Sequence, residues 1–175
     1  MSKIILLYST TDGHTQEICC YLQQLIEKSG DQVTVVSLAD DPAVDLESFD
    51  KIVIGASIRY GKHNKRVYRF IETNLSVLTK KPNAFFSVNA VARKAEKAQP
   101  DTNPYLLKFL KQIAWQPKEL AVFAGKLDYQ KCGPLDRFMI RFIMWMTKGP
   151  TDPNTNIEFT DWGKVEEFAQ LIHKM

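Results

Sequence analysis

The chain has 175 residues, 45% apolar and 25% charged, enough for one core and typical of a folded soluble protein, which argues against a disordered, collagen-like or coiled-coil chain. Its formal charge of +3 favours anionic small molecules or a lipid surface over nucleic acid, for which no signature is present. Cys19, Cys20 and Cys132 lack C-x-x-C spacing and His14, His63 and His173 are scattered, so a reducing cytosol is expected, with neither a disulfide framework nor a metal.

The N-terminal MSKIILLYS lacks the pattern of a secretory signal and reads as a strand, Ile4 to Tyr8 being a continuous apolar run of the kind buried on both faces. Ile18, Leu22, Leu25 and Ile26 then recur at helical spacing before Gly30. Val33 to Val36 gives a second strand and Lys51 to Gly55 a third. Val67, Phe70, Ile71, Leu75 and Leu78 mark one helix closed by Pro82, and Asn83 to Val88 gives a fourth strand. A helix over Tyr105 to Trp115, a fifth strand over Leu120 to Ala124 and a last helix over Asp161 to His173 complete the series.

This alternation predicts one α/β domain over residues 1–175, a three-layer sandwich whose five-stranded parallel sheet is covered by helices on both faces. The flavodoxin-like strand order 2-1-3-4-5 brings the loops after strands 1, 3 and 4 to one crevice at the carboxyl edge. A long insertion after strand 5, about residues 126–158, exceeds an ordinary connection and is too apolar for disorder. No run approaches the ~20 apolar residues of a membrane span, so membrane contact is expected to be peripheral.

YSTTDGHT, residues 8–15, puts Ser9, Thr10, Thr11, Gly13 and Thr15 where the first strand becomes a helix. Free amides at the positive end of a helix, with added hydroxyls, suit a phosphate. Neither G-x-x-x-x-G-K-S/T nor G-x-G-x-x-G is present, which leaves a monophosphate loop of the FMN type. The same residues also read as a plain helix cap with an Asp-Gly turn, and the two readings stay open.

GASIRYGKHNKR, residues 55–66, follows the third strand. Gly55 and Ala56 would admit a flat ring, Tyr60 would stack on it, and Gly61 would take a positive φ; an ordinary turn fits as well. Lys62, Lys65, Arg66 and Arg69 read as a solvated helix face or an anion site. SVNAVARK, residues 87–94, offers amides and Asn89 to the polar edge of an isoalloxazine, and Arg93 and Lys94 to a carboxylate-bearing substrate.

GPLDRFMIRFIMWMTKGP, residues 133–150, predicts a helix of about twelve residues, ~18 Å long and short of a ~30 Å hydrocarbon layer. Arg137, Arg141 and Lys148 fall on one narrow stripe, and apolar residues from Phe138 to Met146 fill most of the rest. The pattern fits a helix packed on the domain, a homo-oligomer interface, or a face for lipid or quinone.

YSTTDGHT, GASIRYG, FFSVNAVARK, TNPYLLKFL, DRFMIRFIMWM and FTDW, in order along nearly the whole chain, resemble the bacterial menaquinone-dependent protoporphyrinogen IX dehydrogenases. The resemblance implies a long-chain flavodoxin-like fold, bound FMN, and oxidation of protoporphyrinogen IX to protoporphyrin IX in haem biosynthesis. It also implies electron transfer to menaquinone or ubiquinone, with the protein peripheral on the cytoplasmic side of the inner membrane.

By position, Ser9, Thr10, Thr11, Asp12, Gly13, His14 and Thr15 resemble the phosphate loop. Ser57, Ile58, Arg59, Tyr60 and Gly61, with Ser87, Val88, Asn89, Ala90, Val91 and Ala92, resemble the loops that flank the flavin ring. Asp12 stands where flavodoxins usually carry threonine, and a carboxylate there is expected to point away from the phosphate, capping the helix or bonding an amide. Arg59, Arg93 and Lys94 are the expected substrate contacts, with Arg59 or Arg93 on a propionate. Arg137, Phe138, Arg141, Phe142 and Trp145 are the expected quinone or membrane contacts. No catalytic base is evident, so the chemistry is expected to be flavin-borne. The competing readings are a flavodoxin-type FMN electron-transfer carrier, which the basic balance and apolar insertion oppose, and a flavin-free interaction module.

Overall fold

The computed structural model describes residues 1–175. In chain order the elements are β1 (Lys3–Ser9), α1 (His14–Lys28), β2 (Gln32–Ser37), β3 (Lys51–Arg59), β4 (Lys62–His63), α2 (Lys65–Thr73), α3 (Leu75–Lys80) and β5 (Asn83–Asn89). There follow α4 (Pro104–Gln112), β6 (Glu119–Ala124), β7 (Lys126–Asp128), α5 (Pro134–Met146), β8 (Asn156–Glu158) and α6 (Trp162–Lys174). The five long strands pair in parallel in the order β2-β1-β3-β5-β6, which is the expected order once the two-residue β4 is set aside.

Two-sided burial explains the apolar runs. Ile4, Ile5, Leu6 and Leu7 of β1 are all fully buried. Ile4 and Leu6 pack with Ile18 and Leu22 of α1 and Val165 and Phe168 of α6. Ile5 and Leu7 face the opposite layer, against Val67, Ile71, Leu78 and Phe109. Period-two alternation thus feeds two cores from one strand. Each such side chain contributes roughly 1.5–3 kcal/mol by leaving water. Asp161 caps α6 by accepting from the amides of Gly163 and Lys164, and Asn103 caps α4 by accepting from that of Leu106.

Several local expectations are corrected. β3 continues through Ala56, Ser57, Ile58 and Arg59, because Ile58 and Arg59 pair antiparallel with His63 and Lys62. The connecting Tyr60 and Gly61 both have positive φ, 52° and 73°, as a two-residue type I′ turn requires. Gly55 admits no external ring: a Cβ there would overlap the Phe86 ring, so its missing side chain makes room for a core residue. The single helix expected around Val67 to Leu78 is two, α2 and α3, broken at Asn74, whose side-chain amide donates to the Phe70 carbonyl at 2.9 Å. α4 stops at Gln112, leaving Trp115 outside it but buried edge-on to Phe85. In the insertion, β7 and β8 pair antiparallel, Leu127 opposite Ile157, and bracket α5.

Candidate functional site

The carboxyl ends of β1, β3 and β5 open into one cleft enclosing about 980 Å³, part of it continuous with solvent. Its floor comprises Thr10, Thr11, Asp12, His14 and Thr15 after β1, Ser57 to Gly61 at the β3 hairpin, and Val88 to Val91 with Arg93 after β5. The insertion closes it from above through Leu127, Cys132, Ile140, Ile143 and Met144. All three expected loops therefore meet.

Gly13, at φ 87°, ends the first loop as the N-cap of α1, and no side chain caps that helix. The opening amides of His14, Thr15 and Gln16 have no intrahelical acceptor. Thr15 Oγ1 is buried and has no hydrogen-bond partner, although it borders the cleft. Orphan donors at the positive end of a helix form a place for an anion. Gly13 N donates to Thr10 Oγ1 at 2.9 Å, which fixes the loop's shape.

Asp12 departs from expectation. Its Oδ1 accepts from Arg59 Nη2 at 2.8 Å, so it neither caps α1 nor bonds an amide. His14 is almost wholly buried, with Nδ1 2.9 Å from Glu17 Oε2 and Nε2 2.6 Å from Thr160 Oγ1, which itself donates to the Ala124 carbonyl. His14 thus fastens the loop to the segment entering α6.

The two arginines read as propionate partners have other partners. Arg59 lies between Asp12 and Asp136 of α5, the latter 3.3 Å from Nη1. Arg93 donates from Nη1 to the Ala90 carbonyl at 2.8 Å, and from Nη2 to Thr147 Oγ1 at 2.9 Å and the Thr147 carbonyl at 3.2 Å. Burial lowers the Arg93 pKa. Lys94 lies outside the cleft lining.

Asn89 borders the cleft, but its side-chain amide pairs with that of Asn103 at 3.0 and 3.2 Å and accepts from Ala92 N. Its backbone carbonyl in turn accepts from Gly125 N at 3.3 Å. Ser87 is wholly buried behind the wall, 3.0 Å from His63 Nε2, and Ala92 packs into the core beneath α4. Ser9 and Gly13 shape the first loop without lining the cleft. Tyr60 is half exposed at the mouth, its ring centroid 6.0 Å from Arg59 Cζ.

Sequence reasoning missed Tyr105, Gly125 to Asp128, Cys132, Ile140, Ile143 and Met144 as lining residues. The breadth of the apolar face on α5 signalled that it covers something, without saying which side does so. Burial pushes the Cys132 thiol pKa up, Asp12 adds to the rise and Arg59 opposes it. The outer face of α5 leaves Leu135, Phe138, Phe142, Trp145 and Met146 exposed. Arg137 and Arg141 are not free lipid-facing cations: their Nε atoms donate to the carbonyls of Tyr129 at 3.0 Å and Thr151 at 2.8 Å. No group of three or more His, Cys, Asp or Glu side chains is placed to hold a metal, and no helix is long and apolar enough to cross a membrane.

Sheet order and cleft define a flavodoxin-type α/β protein, and the family model described as a flavodoxin domain matches residues 5–154. A flavodoxin from the domain Archaea superposes with TM-score 0.54 at 16% identity, covering 98% of this chain and 96% of that one. Oxidised flavodoxin 1 from Bacillus cereus gives TM-score 0.53 at 16% identity over 99% and 98% of the two chains. At such identities the likeness speaks for the fold alone.

The finer assignment comes from closer relatives. Over 170 residues the chain is 42% identical to the protoporphyrinogen IX dehydrogenase (quinone) of Escherichia coli strain K12, covering 97% of this chain and 94% of that protein. It is also 42% identical over 168 residues to the protein of that name from Leishmania major, covering 95% and 73%. The chain belongs to the protoporphyrinogen IX dehydrogenase (quinone) family.

Proposed function

We propose that this protein oxidises protoporphyrinogen IX to protoporphyrin IX in haem biosynthesis, with FMN in the cleft and a respiratory quinone as electron acceptor. The observation that carries the reading is the junction of three strand-end loops around one cleft, with the partnerless Thr15 hydroxyl at its anion-accepting end. These residues fit FMN: the loop from Thr10 to Thr15 would hold the phosphate, and Tyr60 with the backbone of Val88 to Val91 would border the ring. FMN supplies the hydride-accepting chemistry when bound. The chain's own work is orientation and exclusion of water, the latter by Ile140, Ile143 and Met144 closing the cleft from above.

The exposed apolar face of α5 suits a peripheral protein that meets its quinone at a membrane surface. Lys148 remains exposed beside it for an anionic leaflet. Replacing the exposed Phe138 and Trp145, which lie outside the cleft lining, with serine should spare flavin binding and reduce turnover with membrane quinone.

The deciding assay is anaerobic conversion of protoporphyrinogen IX by the purified FMN-loaded protein with a soluble quinone, followed by porphyrin fluorescence. Quinone-dependent conversion is expected. Conversion that requires a separate reductase would favour the flavodoxin-type carrier and overturn the proposal.

A further inference from the structure

Asp12 puts a carboxylate inside the loop assigned to a phosphate, where like charge opposes binding. The basic group paired with it is Arg59, which arrives from the end of β3 with its side chain 20% exposed. Lys126 and Lys131 share a neighbouring surface hollow with Asp12 but form no ion pair with it. The guanidinium is further constrained by Asp136, and its Nη1 is buried without a hydrogen bond. Arg59 therefore borders the cleft with its guanidinium engaged by two carboxylates. In the same cleft, Thr15 Oγ1 and the opening amides of α1 have no acceptor within the chain.

We propose that Arg59 is a positioning residue that makes the first loop tolerate a phosphate: shared between Asp12 and Asp136, it offsets part of the Asp12 charge and holds that carboxylate away from the amides that bind the anion. The inference rests on the FMN reading above. Its consequence is a specific dependence on the phosphate, since riboflavin has the same ring and no anion. Asp12 is partly exposed, so solvent screening reduces the effect well below the unscreened Coulomb value.

The test is a flavin titration of the flavin-free full-length chain, comparing FMN with riboflavin across Arg59→Gln, Asp12→Asn, the double variant and Arg59→Lys. Arg59→Gln should weaken FMN binding about tenfold, and riboflavin binding, which feels only the lost Asp136 tether to the insertion, by no more than about twofold. Asp12→Asn should tighten FMN binding, and the double variant should return to within about threefold of wild type. Arg59→Lys, which keeps the charge, should stay near wild type and guards against misfolding of the glutamine variant. Equal loss for FMN and riboflavin would reveal a merely structural arginine and overturn the inference. A loss that Asp12→Asn does not relieve would make Arg59 a direct phosphate ligand, with the same consequence. Wild-type protein that binds neither flavin would overturn the FMN reading and take this inference with it.

Discussion

The floor and the roof of the cleft are built by different physics. The floor is the rim of a parallel sheet whose β1 core, Ile4 to Leu7, is wholly buried, so its loops are anchored by non-directional burial. The roof helix α5 has 13 residues, of which Met144 alone is buried. Four arginines hold it or its flanks: Arg59 reaches Asp136, Arg93 reaches Thr147, Arg137 reaches Tyr129 and Arg141 reaches Thr151. Each such polar contact is worth about 1 kcal/mol, more where the charge is well buried. The difference teaches that the roof can loosen while the floor stays folded, as local opening in a region of few buried contacts allows.

That contrast breaks or holds under four perturbations. The largest effect should come from Gly55→Ala, which forces a methyl into the Phe86 ring and should destabilise the whole chain by about 3 kcal/mol in urea unfolding. Adding Phe86→Leu should recover part of the loss.

Acid probes the floor next. His63 is buried against Ser87 and Phe109, and desolvation lowers its pKa to about 3 from 6.5. Its stabilising effect is complete above the unfolded value of 6.5 and is lost as pH falls toward 3, because the unfolded chain takes up a proton that the folded chain refuses. Between pH 6.5 and 5 this amounts to about 2 kcal/mol, and His63→Gln should flatten that part of the stability profile.

Arg93→Met tests the roof. Hydrogen exchange should quicken across residues 134–147 while global stability falls by only about 1 kcal/mol. Equal quickening in β5 and β6 would erase the distinction. The smallest effect on folding should come from Phe138→Ser with Trp145→Ser, within about 0.5 kcal/mol, while co-sedimentation with anionic vesicles falls.

The sheet was legible because strands buried on both faces leave uninterrupted apolar runs, as at Ile4 to Leu7 and Ile52 to Ile54. The break at Asn74 was not, since one side-chain amide bonded to Phe70 O decides it. Gly61 announced its positive φ, whereas Tyr60 beside it gave no sign of sharing that conformation. The three loops could be read together because strand order alone makes them neighbours. The roles of Arg59 and Arg93 could not. Their partners Asp12 and Thr147 stand 47 and 54 residues away, and an arginine beside an expected anion reads as that anion's ligand until the fold supplies a closer acceptor. The pairing of Asn89 with Asn103 was hidden for the same reason.

The short ladder of Leu127 opposite Ile157 makes the insertion leave and rejoin the chain at adjacent rungs. Whatever sits beyond that ladder is closed by its own two ends, and the entropy of closure grows only slowly with the number of residues enclosed. The ladder is therefore a natural splice point: a foreign hairpin or a longer helix grafted between Asp128 and Asn156 would replace the canopy while leaving β6 and α6 in register.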